Sequence, residues 1–438
     1  MSVQFLILRK KISLTIPSLY QLYQQFPSVQ TDTRKIREGD LFFALRGPSF
    51  NGNDFALKAL EAGAAYAIVD EISDHSQERL IPVEDVLGTL QDLAKYHREQ
   101  FSIPFLAITG SNGKTTTKEL VHAVLSQRFK VYTTEGNLNN HIGIPLTILR
   151  VRKDAEIAVI EMGANHQKEI AGYCRYTEPT HGIITNCGKA HLEGFGGVEG
   201  VRKGKGELYD YIRSHDGSVF AFDDYPYLHD MSKGIQNIVW YGTSKGYVVG
   251  YAKKSEPFLQ VDFTAGLSPG ETSTHLVGIY NLPNILCAAA VGRYFGVAET
   301  GIRQALENYQ PSNSRSQLMV QGSNKIILDA YNANPTSMKA AIENFAQLPA
   351  DKKILLLGAM MELGEESLSE HQELVRLIGA YPWKEVVLVG GEFGKFRHPY
   401  RYFPDATAAR KWLKDQNFEE AYFLVKGSRS IAMEKVLE

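Results

Sequence analysis

No apolar run in these 438 residues approaches the roughly 20 residues a membrane-spanning helix needs, and the N-terminal run Phe5 to Leu8 is too short even for a signal-peptide core. Cysteine is scarce as well. Cys174, Cys187 and Cys287 are the only three and lie far apart, so there is no C-x-x-C pair for a zinc ribbon and no disulfide framework. These absences predict a cytoplasmic protein of a reducing compartment, with no membrane insertion. An excess of either charge is also missing: 47 basic residues stand against 49 acidic ones, for a formal charge of -2. That balance argues against a general binder of nucleic acid or of anionic membrane surfaces. No Pro/Ser-rich linker and no internal repeat divides the chain, so domain boundaries must be placed by pattern.

What is present is a globular composition, 44% hydrophobic and 22% charged, in a chain too long for one ordinary core. The pattern predicts an α/β protein of three domains. The first, residues 1–98, is a small α/β domain with a helix after Pro17, the segment Gly39 to Leu45, an amphipathic helix from Phe55 to Ala62, a strand from Ala65 to Val69 and a helix from Val86 to Glu99. The second, residues 99–310, alternates strands (Phe105 to Ile108, Ile157 to Ile160, Gly182 to Thr185) with helices from Lys114 and near Lys168, which argues for a mostly parallel sheet covered on both faces. From Asp223 to Leu276 the texture suggests a small antiparallel addition, followed by a helix from Leu282 to Phe295. The third, residues 311–438, repeats the rhythm with strands at Lys325 to Leu328, Lys353 to Leu357, Val386 to Val389 and Tyr422 to Val425. It is expected to be a smaller, Rossmann-like doubly wound domain.

The most informative stretch is Thr109-Gly110-Ser111-Asn112-Gly113-Lys114-Thr115-Thr116-Thr117-Lys118, entered by the apolar run Phe105 to Ile108. A strand feeding a tight glycine turn into a helix aims backbone N–H groups at one point, where the helix dipole also favours an anion. Lys114 would reach the outer phosphates and the Thr115 hydroxyl would face magnesium. The strict G-x-x-x-x-G-K-[ST] spacing is not met, since position 108 is Ile. Ligands of such a sheet gather past the carboxyl ends of its strands, and there stand Glu161, in Glu161-Met162-Gly163-Ala164-Asn165, and His191, in Ala190-His191-Leu192-Glu193-Gly194-Phe195-Gly196. Alone, each reads as a solvated strand end and a structural histidine. Beside a phosphate loop they become candidate magnesium ligands.

The compressed loop, the segment Gly136-Asn137-Leu138-Asn139-Asn140-His141-Ile142-Gly143-Ile144-Pro145-Leu146-Thr147, and the Glu161 and His191 segments together resemble successive signatures of the Mur ligase family. Folylpolyglutamate synthases share the loop. In the third domain, Asp329-Ala330-Tyr331-Asn332-Ala333-Asn334-Pro335-Thr336-Ser337-Met338, then Leu357 to Gly364 with His371 after it, and Lys426-Gly427-Ser428-Arg429 resemble the branch of that family that joins D-alanyl-D-alanine to UDP-N-acetylmuramoyl-tripeptide. The D-N-P-R motif of the neighbouring branch is absent.

The resemblance implies an ATP-dependent ligase that first phosphorylates a carboxylate and then lets an amine displace phosphate. Thr115, Glu161, His191 and Lys205 would hold magnesium, Lys205 as a carbamate, since it matches the family's K-G-E-[IL] pattern. The family usually has Ala where Gly204 stands. ATP would meet Gly110, Ser111, Asn112, Gly113, Lys114, Thr115 and Thr116, with Asn281, Arg315 and Asp329. Tyr280 replaces the usual His beside Asn281. The UDP-sugar peptide would meet Asp32, Thr33, Arg34, Asn139 and Asn140, and the dipeptide Asn332, Asn334 and Ser337. Phe42-Phe43 reads as core. A hinge is expected from Tyr309 to Asn313, and a monomer is expected. A different amide ligase would share loop and metals. A switch-type nucleotide binder would need a base-reading N-K-x-D motif, which the chain lacks.

Overall fold

The computed structural model describes residues 15–71, 76–311 and 314–438. The run Phe5 to Leu8, and Ser312 and Asn313 of the expected hinge, lie outside the described residues. The chain falls into two compact units, one of residues 1–107, 129–163 and 169–180, the other of 108–128, 164–168 and 181–438.

In the first unit the strands Val29–Gln30, Leu41–Phe43, Tyr66–Val69 and Leu80–Pro82 lie side by side in that order, all parallel. A parallel sheet needs cover on both faces, and Leu41–Phe43 is buried at every position. Phe42 packs with Ala44, Ala56, Ala59, Leu60, Ala67 and Val69 in one core, as the sequence predicts. The helix Val86–Arg98 begins where the Asp85 carboxylate accepts the N–H groups of Leu87 and Gly88. Arg98, at its other end, is buried. Its Nε donates to Thr177 O and its Nη2 to Glu178 O, each at 2.9 Å, which satisfies carbonyls at the end of the helix Glu169–Thr177. In the same unit Val131–Thr133 pairs in parallel with Ile157–Glu161, the strand that carries Glu161.

The second unit opens inside the strand Phe105–Thr109. His181–Ile184, Ser218–Phe222, Asn237–Gly242 and Val248–Lys254 are successive parallel neighbours, and Gln260–Ala265 and Gly270–Ser273 add on antiparallel. The expected antiparallel addition therefore begins later than Asp223. The short helix Pro226–Met231 makes a crossover that keeps Asn237–Gly242 parallel, and six residues are too few to show a helical period in sequence. A second sheet runs Gln317–Gln321, Asn324–Asp329, Tyr422–Lys426, Lys353–Gly358, Glu385–Val389, Arg401–Phe403, with only the first pair antiparallel. Its core joins Ile326, Leu328, Ile354, Leu356, Val387, Val389 and Val425 with Met433 and Val436 near the C-terminus. The two edge strands that sequence reading passed over are largely exposed.

Candidate functional site

The phosphate-type loop is built by rigid bracing. Gly113, at φ +79°, occupies the left-handed conformation that opens the helix Lys114–Leu125. Ser111 N–H donates to Asn186 O at 2.9 Å and Asn112 N–H to Asn186 Oδ1 at 3.1 Å. In return Thr185 Oγ1 and Asn186 Nδ2 donate to Asn112 O at 2.6 and 3.0 Å, and Ser111 Oγ donates to Gly188 O at 2.9 Å. The Lys114 ammonium lies back over the turn, 2.7 Å from Gly110 O. No side chain caps the helix, and an anion is the ligand such a terminus accepts.

Sequence reading named the loop but missed its brace. Thr185 and Asn186 sit at the end of the next strand, and nothing in their spacing marks them as partners of residues some seventy positions earlier.

In the first unit, Glu161 is 1% exposed and its Oε1 accepts Asn139 Nδ2 at 2.8 Å. A carboxylate so deeply buried needs a cation or donors around it. Asn140 does local work: its Oδ1 accepts the N–H groups of Ile142 and Gly143 at 3.1 and 2.8 Å, starting the helix Gly143–Arg150. Asp32 caps the turn Thr33–Lys35 and meets Arg34 Nε and Nη2 at 2.9 and 2.8 Å. The hydrogen bonds from Arg34 hold the Asp32 carboxyl at about 2.

In the second unit, His191 opens the turn Leu192–Phe195 at φ +52°. Its Nδ1 lies 2.6 Å from Glu362 Oε2. Lys205, 1% exposed, donates to Ala164 O at 3.0 Å, with its ammonium 4.8 Å from the Phe195 ring centre. Gly204 makes that ring position available, since a Cβ there would come within 2.4 Å of Phe195 Cε1. Burial pushes the nearby Cys187 thiol up to about 12, against the pull of Lys205 and Arg202, so it is no nucleophile at neutral pH.

Among the described residues no group of three or more His, Cys, Asp and Glu side chains is gathered for a metal. Of the sequence-derived donors, Glu161 belongs to the first unit and Thr115, His191 and Lys205 to the second.

The remaining sequence-predicted residues are engaged as follows. Asn281 Nδ2 donates to Val277 O and its Oδ1 accepts Asn284 Nδ2, both at 2.9 Å, while Asn284 Oδ1 accepts Thr117 Oγ1 at 3.1 Å. This chain ties Asn281 to the loop helix. Tyr280 OH lies 3.1 Å from Ser316 Oγ. Asp329 accepts Ser316 N–H at 3.0 Å and Lys426 Nζ at 2.5 Å, and the Arg315 guanidinium lies 3.5 Å over the Tyr331 ring. Asn332 Oδ1 accepts Ala333 N–H at 2.9 Å. Asn334 and Ser337 form a reciprocal capping box at the start of the helix Pro335–Ala346.

Three further contacts join the segment 188–193 to residues 334–370, none of them foreseen. Lys189 N–H donates to Thr336 Oγ1 at 2.9 Å, Lys189 Nζ meets Glu370 Oε1 at 2.5 Å, and Glu193 N–H donates to Glu362 O at 3.4 Å.

Three family models match the chain: "Mur ligase family, catalytic domain" over residues 26–98, "Mur ligase middle domain" over 108–292 and "Mur ligase, glutamate ligase domain" over 314–429. The UDP-N-acetylmuramoyl-tripeptide--D-alanyl-D-alanine ligase of Bacillus subtilis (strain 168) is 34% identical over 423 residues, covering 94% of this chain and 92% of the relative. The protein of the same name from Escherichia coli (strain K12) is 35% identical over 420 residues, with coverage of 94% and 92%. The crystal structure of MurF ligase from Thermotoga maritima in complex with ADP superposes with a TM-score of 0.84 at 29% identity, covering 94% of this chain and 96% of that one.

Proposed function

The chain belongs to the Mur ligase family, and on that premise we propose that it is an ATP-dependent ligase joining D-alanyl-D-alanine to UDP-N-acetylmuramoyl-tripeptide, with ADP and phosphate as the other products. The observation that carries this reading is the braced loop Gly110 to Thr116, linked through Asn112 to the capping residue of the helix Pro335–Ala346. Identity of 34–35% to ligases of that name, spread over nearly the whole chain, supports the choice of substrates. The family-model spans support functional domains at 1–98, 99–310 and 311–438.

Chemically, the γ-phosphoryl group of ATP passes to the terminal carboxylate of the tripeptide, making an acyl phosphate and ADP. The free amine of the dipeptide attacks the acyl carbon, a tetrahedral intermediate forms, and its collapse expels phosphate as the amine loses a proton. Both steps gather negative charge on oxygen. The uncapped N–H groups at the start of the helix Lys114–Leu125 answer that charge, and Lys114 joins them once its ammonium turns from Gly110 O toward the phosphates. Thr115, Glu161, His191 and a carbamylated Lys205 would hold magnesium, which neutralises phosphate charge and aligns the transferring group. The short apolar cover over Lys205, from Phe195 and the close approach at Gly204, restricts water beside it. Asp32, Thr33, Arg34, Asn139 and Asn140 are assigned to the UDP-sugar peptide. Asn332, Asn334 and Ser337 are assigned to the dipeptide end, and Asn281, Arg315 and Asp329 to the nucleotide.

Phosphate release measured with ATP, magnesium and UDP-N-acetylmuramoyl-tripeptide, with and without D-alanyl-D-alanine, tests the reading. Release that needs both substrates, with a pentapeptide product by mass, is the expected result. Folded, ATP-binding protein that releases no phosphate and makes no product would refute it.

A further inference from the structure

Ser314 and Ser316, on either side of Arg315, are both left-handed, at φ +55° and +47°, a conformation uncommon for residues with a side chain. Two such residues within three positions persist only where surrounding contacts demand them. Two of those contacts come from the end of the strand Asn324–Asp329: Ser316 N–H donates to Asp329 Oδ1 at 3.0 Å, and Tyr331 N–H donates to Ser314 O at 3.3 Å. A third comes from a different element, Tyr280 OH lying 3.1 Å from Ser316 Oγ. Between these pins the Arg315 guanidinium rests 3.5 Å over the Tyr331 ring, and its Nε is buried without a hydrogen-bond partner among the described residues. A buried donor left open on a cation is costly unless a ligand completes it.

Tyr280 is itself held fast. It lies in the turn Ile279–Asn281, which opens the helix Leu282–Tyr294. Gly278, at φ +91°, lets the ring lie close, since a Cβ there would come within 2.3 Å of it. Ile279 N–H donates to Asn344 Oδ1 at 3.2 Å, and Asn281, Asn284 and Thr117 tie the same turn to the helix of the phosphate loop. Of the three pins on the segment 314–316, Tyr280 therefore refers Arg315 to the phosphate loop, while the other two refer it to its own sheet. A phenol hydroxyl stands farther from its backbone than either nitrogen of an imidazole, so this reach belongs to tyrosine and not to the histidine usual at the position. We propose that Tyr280 is a positioning residue for nucleotide binding: its hydroxyl holds Ser316, and through Ser316 it sets where Arg315 stands relative to the phosphate loop. This rests on the assignment of Arg315 to the nucleotide made above.

The test is isothermal titration calorimetry of the full chain with ADP and with the β,γ-imido analogue of ATP. It compares wild type with Y280F, Y280H, S316A, R315A, the doubles Y280F/S316A and Y280F/R315A, and Y251F. Y280F, which removes one oxygen and keeps the ring, should bind both nucleotides about 3- to 10-fold more weakly. Y280H and S316A should match it, and Y280F/S316A should be no weaker than either single variant, because both break the same link. R315A should weaken binding further, and Y280F should add nothing in the R315A background, an outcome that a merely structural hydroxyl would not give. Y251F, which removes a hydroxyl bonded to Asp262 on the strand Val248–Lys254, should bind as wild type. Wild-type affinity in Y280F, additive effects of Y280F with S316A or R315A, no effect of R315A, or equal weakening in Y251F would each overturn the proposal. Should S316A fail to fold, the cycle of Y280F with R315A decides. The titration contains neither the sugar-peptide nor the dipeptide. Wild-type protein that binds neither nucleotide would overturn the nucleotide reading along with this inference, whereas wild-type binding with an unchanged Y280F overturns the inference alone.

Discussion

Asn334 and Asn112 meet amide to amide: Asn334 Nδ2 donates to Asn112 Oδ1 at 2.7 Å. The same Asn334 side chain accepts Ser337 N–H at 2.9 Å through Oδ1, as the N-cap of the helix Pro335–Ala346. One amide thus serves the helix start and the phosphate loop together, and its two duties can be separated by substitution.

Asn334→Ser keeps a capping oxygen but is too short to reach Asn112, whereas Asn334→Ala loses both functions. The serine variant is expected to retain thermal stability while kcat/KM falls about tenfold, the equivalent of ~1.4 kcal/mol. The alanine variant should add a stability loss of about 1 kcal/mol. Denaturant midpoints and steady-state phosphate release on both variants decide the matter. Equal activity in the serine variant and wild type would remove the amide bridge from the mechanism.

Lys114 Nζ donates to the loop's own carbonyls, 2.7 Å from Gly110 O, and is assigned to the phosphates. Lys114→Ala should leave the urea midpoint close to wild type and lower the phosphate-release rate by about 100-fold or more, as removal of a single transition-state donor does. A collapse of stability with unchanged turnover per folded molecule would make the lysine a structural strut instead.

Gly204 and Phe195 form a pair, since a methyl group at 204 would come within 2.4 Å of the Phe195 ring. Phe195 is buried, so its ring has little room to retreat. Gly204→Ala is expected to cost about 1 to 3 kcal/mol by overpacking, and Phe195→Leu in the same chain should recover most of that loss. A double-mutant cycle in urea reads the coupling. Strict additivity of the two substitutions would contradict the contact.

His97 and His181 are kept neutral by burial, which lowers each to about 4 from an ordinary 6.5. His97 is fixed by Val151 O at 2.9 Å and Tyr20 OH at 3.1 Å; His181 lies among the rings of Phe220, Tyr294 and Phe295. The unfolded chain takes up these protons near 6.5 and the folded chain only near 4, so stability is whole at neutral pH and declines as pH falls between those values. The decline is up to about 3 kcal/mol for each histidine. His181→Phe should flatten the fall in urea midpoint between pH 7.5 and 5. An unchanged fall would show that His181 does not contribute.

The phosphate loop was legible in the sequence because its chemistry is local: glycine, lysine and threonine act within one turn, and the strand before them and the helix after them each have their own period. Parallel strands of the third domain were legible for the same reason, being short apolar runs between helices. Phe42 and Phe43 could be assigned to the core from their apolar neighbours alone. The family resemblance, carried by residues 109–118, 136–147, 161–165, 190–196, 329–338, 357–364 and 426–429, implied the substrates.

Contacts between distant segments were not legible. Thr185 and Asn186 brace the loop, Asn334 bridges to Asn112, and Glu362 faces His191, across sequence separations that no periodicity encodes. Nor could spacing show that Asn140 and Ser337 spend their side chains on helix starts, the Ser337 hydroxyl accepting Asn334 N–H. Likewise, Ser218–Phe222 and Asn237–Gly242 continue the parallel sheet because a crossover helix of only six residues lies between them. Residue type and local order prescribe what a side chain is able to do. Which partner it meets depends on how the strands stack and where their ends converge, and that is settled by burial of the sheets as wholes.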